Sequence, residues 1–124
     1  MGGRTTTATD AVTTGVNEVV LAGRVSAEPE ERVLPSGDTV WSFRVVVDRV
    51  PDRRRPQAPR VDTLDCAVWT GPARRTVQRL GAGDLVEVRG ALRRRFFRAS
   101  DGGAASRVEV EVRQARVIRR AASA

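Results

Sequence analysis

Residues 70–84, TGPARRTVQRLGAGD, are the one stretch of this 124-residue chain whose apolar spacing is helical. Ala73, Val77 and Leu80 fall at i, i+4 and i+7, with Arg74, Arg75, Gln78 and Arg79 around the rest of the turn. Pro72 suits the first helical position and Gly81 a left-handed stop, so the stretch predicts a helix of about two to three turns. On either side the chain is written in the other period.

Before the helix lie three β-type runs. NEVVLAGRVS (17–26) predicts a first strand in which Gly23 permits a bend or bulge, and AEPEERVLPSGD (27–38) is turn-rich. TVWSFRVVVDR (39–49) predicts a second strand, with Trp41, Phe43, Val45 and Val47 sharing the core parity. RVPDRRRPQAPR (49–60) is too proline-rich for a strand and predicts a mobile loop, and VDTLDCAVW (61–69) a third strand. After the helix, LVEVRGALRRRFF (85–97) and RVEVEVRQARVI (107–118) predict a long fourth and a fifth strand around the loop SDGG (100–103). The order β-β-β-α-β-β, with one helix between the third and fourth strands, points to an all-β fold: a five-stranded barrel of the oligonucleotide-binding (OB) kind. Residues 1–14, rich in Thr, read as a disordered arm, residues 15–120 as the domain and 121–124 as a short polar tail.

The charge is concentrated. All 22 basic residues are Arg, against 15 acids, for a net charge of +7. Residues 49–60 and 89–98 hold ten of those arginines and one acid, a local +9, while the remainder sums to −2. A polyanion partner fits such segregation better than a generic solvated surface does. The single Cys66 excludes an internal disulfide, which fits an intracellular protein, and no run approaches transmembrane length. There is no His to serve as general base or metal ligand. Cys66 sits on the apolar parity of its strand and reads as inert. Glu109 and Glu111 share a strand face that alternates with valines and read as the wet side of a sheet. No catalysis, metal or cofactor is expected.

Period-2 alternation also sorts the aromatics. Trp69 has the parity of Asp65 and Thr63, opposite Leu64, Cys66 and Val68. Val86, Val88, Gly90 and Leu92 share the apolar side of the fourth strand, which leaves Phe97 with Arg93 and Arg95 on the wetter one. Phe96 takes the core parity and reads as core or subunit contact. A bulge near Gly90 would invert the assignment of the two phenylalanines. One face then combines guanidinium groups with flat rings, and no carboxylate follows within the run. A single nucleic-acid strand matches it, with phosphates for the arginines and unpaired bases for the rings.

The chain resembles the bacterial single-stranded DNA-binding proteins over about residues 15–120. The likeness rests on Gly15-Val16-Asn17 before VVLAGRVSAEPE, on LPSGDTVWSFRVVVDR, on CAVWTGPA and on LGAGDLVEVRGALRRRFF, in that order and at compatible spacing. It implies an OB fold assembled as a homotetramer (a dimer of dimers) around single-stranded DNA, with neither catalysis nor metal. Trp69 and Phe97 match two of the family's usual four stacking positions, whereas Val50 and Thr63 stand at the other two. The long tail with an acidic tip that the resemblance implies has no counterpart in the ending RRAASA, so recruitment of replication or repair enzymes through it is not expected.

The leading expectation is sequence-independent binding and protection of single-stranded DNA in replication, recombination or repair, in the nucleoid-associated cytoplasm and away from membranes. Trp69 and Phe97 would stack bases while Arg49, Arg53, Arg54, Arg55, Arg93, Arg95 and Arg98 neutralise phosphates. The alternative is an OB module that docks on a primosome or recombination partner and binds DNA weakly. The residues themselves leave RNA against DNA open.

Overall fold

The computed structural model describes residues 14–122; the arm expected over residues 1–14 falls almost wholly outside them, as do the last two positions of the tail. Six strands and one helix follow in the order β1 (Val19–Val25), β2 (Glu30–Val33), β3 (Thr39–Asp48), β4 (Val61–Val68), α1 (Ala73–Gln78), β5 (Leu85–Arg98) and β6 (Ala104–Arg119). Five of these strands close a barrel in the order β1-β5-β6-β4-β3 and back to β1. Every pairing is antiparallel except β4 with β6, which meet in parallel at Cys66–Val110 and Ala67–Glu111. The sixth, β2, is a four-residue edge strand hairpinned onto β3 inside the stretch read as turn. All four of its residues are exposed, so no inward–outward alternation marks it in the sequence.

Glycine matters at the seam where β1 changes partner. β1 pairs with β5 from Val19 to Arg24 and with β3 at Arg24 and Val25, so the strand must turn from one neighbour to the other at Gly23. A Cβ there would run into the Val46 carbonyl, which only glycine avoids. The interior is filled mainly by valines, with Phe43, Cys66 and Leu80 among them, and Trp41 packs against it at one side. β-branched side chains suit strands because their restricted χ1 costs little on a pleated surface.

The helix seals the barrel with Ala73 and Val77, and Leu80 follows in the same core. It is shorter than its sequence signals predict, six residues, and Gly81 is not left-handed; Gly83 is, with φ near 87°. Asp84 explains the stop. Its buried carboxylate accepts hydrogen bonds from the Gly81 and Ala121 N–H groups at 2.9 and 2.8 Å and from Arg120 at 2.9 Å, tying the helix exit to the end of β6.

Between β5 and β6 the register slips twice, at Arg89/Gly90 and at Leu85/Val86. Both extra residues, Arg113 and Ile118, belong to β6. β5 therefore keeps its phase, whereas the inward set of β6 changes from Val110 and Val112 to Ala115 and Val117. Beyond Leu92 the two strands leave the barrel as a two-stranded ribbon, closed by a turn in which Ala99 N–H reaches the Gly103 carbonyl at 2.7 Å. On this ribbon Phe96 is not core: it is 78% exposed, because the parity that points inward on the barrel points to open space past its rim.

Candidate nucleic-acid interface

The outer wall of the barrel runs from β3 across β4 and β6 to β5, and its side chains follow from register. Residues directly opposite on paired strands share a face. Ser42 lies opposite Ala67, Ala67 beside Glu111, and Arg93, Arg95 and Phe97 opposite Glu109, Arg107 and Ala105. Trp69 follows Ala67 on the same side. Together they form a groove of about 290 Å³ with Trp69, Phe97, Arg95, Arg107, Glu109 and Arg32 around it and the buried Val40 and Ala67 beneath. It is continuous with a depression of about 430 Å³ that shares Arg32, Ser42, Arg107 and Glu109 and adds Arg44 and Asp65.

Both rings in the groove carry an arginine. The Arg95 guanidinium sits 5.0 Å from the centroid of half-buried Trp69, and that of Arg107 sits 5.4 Å from Phe97, which is 44% exposed. The indole N–H of Trp69 is buried and has no acceptor among the described residues.

The run Arg93-Arg94-Arg95 contains no acid, but the fold supplies two. Glu109 and Glu111 stand across the ribbon: Arg95 donates from Nε to Glu109 at 3.1 Å and from Nη2 to Glu111 at 3.4 Å, and Arg93 donates from Nε to Glu111 at 3.3 Å. These carboxylates are part-buried partners of the arginine row, not the solvated face their alternation suggested. Among the described residues no carboxylate lies within ion-pair distance of Arg107 or Arg32, so these two are the unpaired cations of the groove.

The remaining expected phosphate ligands are placed elsewhere. Arg98 has the opposite parity to Arg93 and Arg95, and its guanidinium donates to the Gly102 carbonyl at 3.3 Å. Arg49 makes a two-pronged bond to Asp62 at 2.7 and 3.0 Å, and that hydrogen bond, with the attraction behind it, holds the Asp62 carboxyl below the usual range and raises Arg49 further. Arg53, Arg54 and Arg55 are exposed on the β3–β4 loop, whose turn is made by Asp52 accepting from the Arg54 and Arg55 N–H groups; they do not line the groove. Val50 and Thr63, at the positions where the resemblance implies aromatics, are both exposed.

Arg107 was readable in principle. The SDGG turn fixes the centre of the β5–β6 ribbon, and counting outward from it sets Arg95 against Arg107 and Arg93 against Glu109. Burial, with the charges of Asp65 and Glu109 adding to it, pushes the Cys66 thiol up to about 12, so it carries almost no nucleophilic thiolate. Among the described residues no three His, Cys, Asp or Glu side chains gather as a metal site, and no helix is long and apolar enough to cross a membrane.

Comparison with known proteins places the chain in a family and a fold. The model of the single-strand binding protein family matches residues 16–118. A Listeria innocua protein named single-stranded DNA-binding protein 3 is 34% identical over 87 residues, 70% of this chain and 54% of its own length. A single-stranded DNA-binding protein of Oceanobacillus iheyensis is 32% identical over 87 residues, 70% of this chain and 53% of its own. The chain thus spans about half the length of these curated relatives. Among solved structures, a Plasmodium falciparum SSB complex with ssDNA superposes with a TM-score of 0.69 at 22% identity, covering 86% of this chain and 96% of that one. That likeness establishes the OB barrel.

Proposed function

The chain belongs to the single-strand binding protein family, and from that premise we propose that it binds single-stranded DNA without regard to sequence. One observation carries the reading: Trp69 and Phe97 open into the same groove as Arg95 and Arg107, on the outer wall of a barrel. Bases stack on the two rings, each worth about 1–3 kcal/mol, while Arg93, Arg95, Arg107 and Arg32 meet phosphates. Arg53, Arg54 and Arg55 add long-range attraction from their loop. Arg49 and Arg98, committed to Asp62 and Gly102, contribute least. Duplex DNA hides the base faces that such a wall needs, and the six-residue helix is sealed into the core rather than offered to a groove.

In this reading the protein acts as a homotetramer in the nucleoid-associated cytoplasm, protecting exposed strands during replication, recombination or repair, with no catalytic step. Family membership supports these points. A second reading, an OB module that docks on a protein partner and binds DNA weakly, is favoured by Val50 and Thr63 standing where stacking rings are expected. The variant Trp69→Ala/Phe97→Ala separates the two. Loss of two stacking platforms lowers dT35 affinity at least about thirtyfold under the first reading, and an affinity within twofold of wild type favours the docking role.

A further inference from the structure

We infer that Arg95, held by Glu109 and Glu111, is a latch that caps the Trp69 ring in the free protein, and that a DNA strand binds there by exchanging those carboxylates for phosphate. The inference rests on the single-stranded DNA reading above and goes beyond it, to the residues that set affinity and exchange.

The groove contains its own comparison. Two rings each carry a guanidinium, but only one guanidinium is secured. Arg107 over Phe97 has no acidic partner among the described residues, whereas Arg95 over Trp69 is gripped by two carboxylates, on Nε at 3.1 Å and on Nη2 at 3.4 Å. Those two nitrogens form one edge of the planar fork, the edge a phosphate would take in a two-pronged contact. The grip is not a loose surface pair. Only 13% of the Glu109 side chain and 36% of that of Arg95 is exposed, so water screens the contact poorly.

Register makes the carboxylates necessary. Arg95 stands directly opposite Arg107, and like charges so placed repel. Glu109 and Glu111 counter that repulsion and fix Arg95 to the side where it covers the indole. Glu111 also holds Arg93 through its other oxygen at 3.3 Å, so phosphate must displace one connected pair of acids to release both arginines. Phe97 with its free arginine is thus the open end of the groove and Trp69 the latched end, and a strand engages them in that order. The acids act as an internal competitor: they weaken equilibrium binding and favour release, because the freed arginines always have a partner to return to.

The test compares the full chain with Glu109→Gln/Glu111→Gln and with Glu18→Gln/Glu31→Gln, two exposed acids outside the groove whose loss makes the same change of +2. Binding of fluorescein-labelled dT35 is followed by anisotropy across a salt series. Acrylamide quenching of the free protein, in a Trp41→Phe background, reports the exposure of Trp69. The latch predicts binding about tenfold tighter than in the charge control, a steeper salt dependence because no freed carboxylate takes up a cation, and stronger quenching of Trp69. Equal tightening in both double variants, or weaker binding in the groove variant, overturns it, since the carboxylates would then supply only bulk charge or would position Arg95 productively. If the groove variant is unfolded by circular dichroism, Arg95→Ala carries the test: a gain in Trp69 quenching supports the latch and unchanged quenching refutes it. Failure of the wild-type chain itself to bind dT35 removes the DNA reading and the exchange with it, a result distinct from any difference among variants.

Discussion

Arg107→Ala offers a perturbation whose size can be worked out from the groove. Arg107 is an exposed cation with no acidic partner among the described residues, lying over Phe97 at 5.4 Å and opposite Arg95 in register. Removing it forfeits a cation–π contact of about 0.5–1 kcal/mol and relieves a like-charge opposition of about 0.2–1 kcal/mol, so folding stability stays within about 0.8 kcal/mol of wild type. Binding behaves differently. Each phosphate neutralised on a single strand adds about 0.7 to the slope of log K against log salt. The variant should therefore show a slope flatter by about 0.7, converge with wild type near 1 M salt, and lie about fivefold weaker at 0.1 M. Titration of dT35 at four or five salt concentrations, beside urea melts of both proteins, measures all of this. An unchanged slope would show that Arg107 meets no phosphate, and a loss of more than about 1 kcal/mol of stability would show that its work is structural.

Three further outcomes follow from the fold. Asp84→Asn turns one charge-assisted acceptor into a donor facing N–H groups, which costs about 2 kcal/mol and lowers the urea midpoint by about 1 M or more. Hydrogen bonds from Ala121 and Gly81 hold the Asp84 carboxyl below its usual range, with Arg120 assisting. That stabilisation is complete above the unfolded value of about 3.9 and fades as pH falls through the lower folded value, so melts of wild type and variant converge only in strong acid. Cys66, with its thiol pushed up to about 12, should resist iodoacetamide at pH 8 until denaturant is added; rapid labelling of the native protein would contradict its burial. Gly23→Ala sets a Cβ against the Val46 carbonyl at the seam of the barrel and should destabilise by more than about 2 kcal/mol, seen as a lost or broadened thermal transition.

The barrel was legible because its strands alternate and its one helix does not. Val45, Val86 and Val88 lie inside as their parity requires, and Trp69 lies on the wall opposite Cys66 and Val68. The phase of β5 survived to Phe97 because both bulges fall on β6, a fact about the neighbouring strand that no property of GALRRRFF records. Charge was harder to read for the same reason. A window along the chain sees Arg93 and Arg95 as unbalanced, yet their acids arrive 14 to 18 residues later, across a turn. The core half of the Phe96 reading failed because parity fixes a direction and not what lies in that direction; beyond the rim of the barrel the ring is exposed, as a subunit contact would require. Nothing local identified β2, whose four exposed residues pair only along an edge of β3.

The most direct measurement is intrinsic tryptophan emission of the full chain as poly-dT is added at rising salt. The account predicts quenching that saturates, because a base replaces Arg95 over Trp69, together with an affinity that falls steeply as salt increases and a signal that disappears in Trp69→Phe. Binding that leaves the emission of Trp69 unchanged, or no salt-sensitive binding at all, would contradict the assignment of this wall to a single strand of DNA.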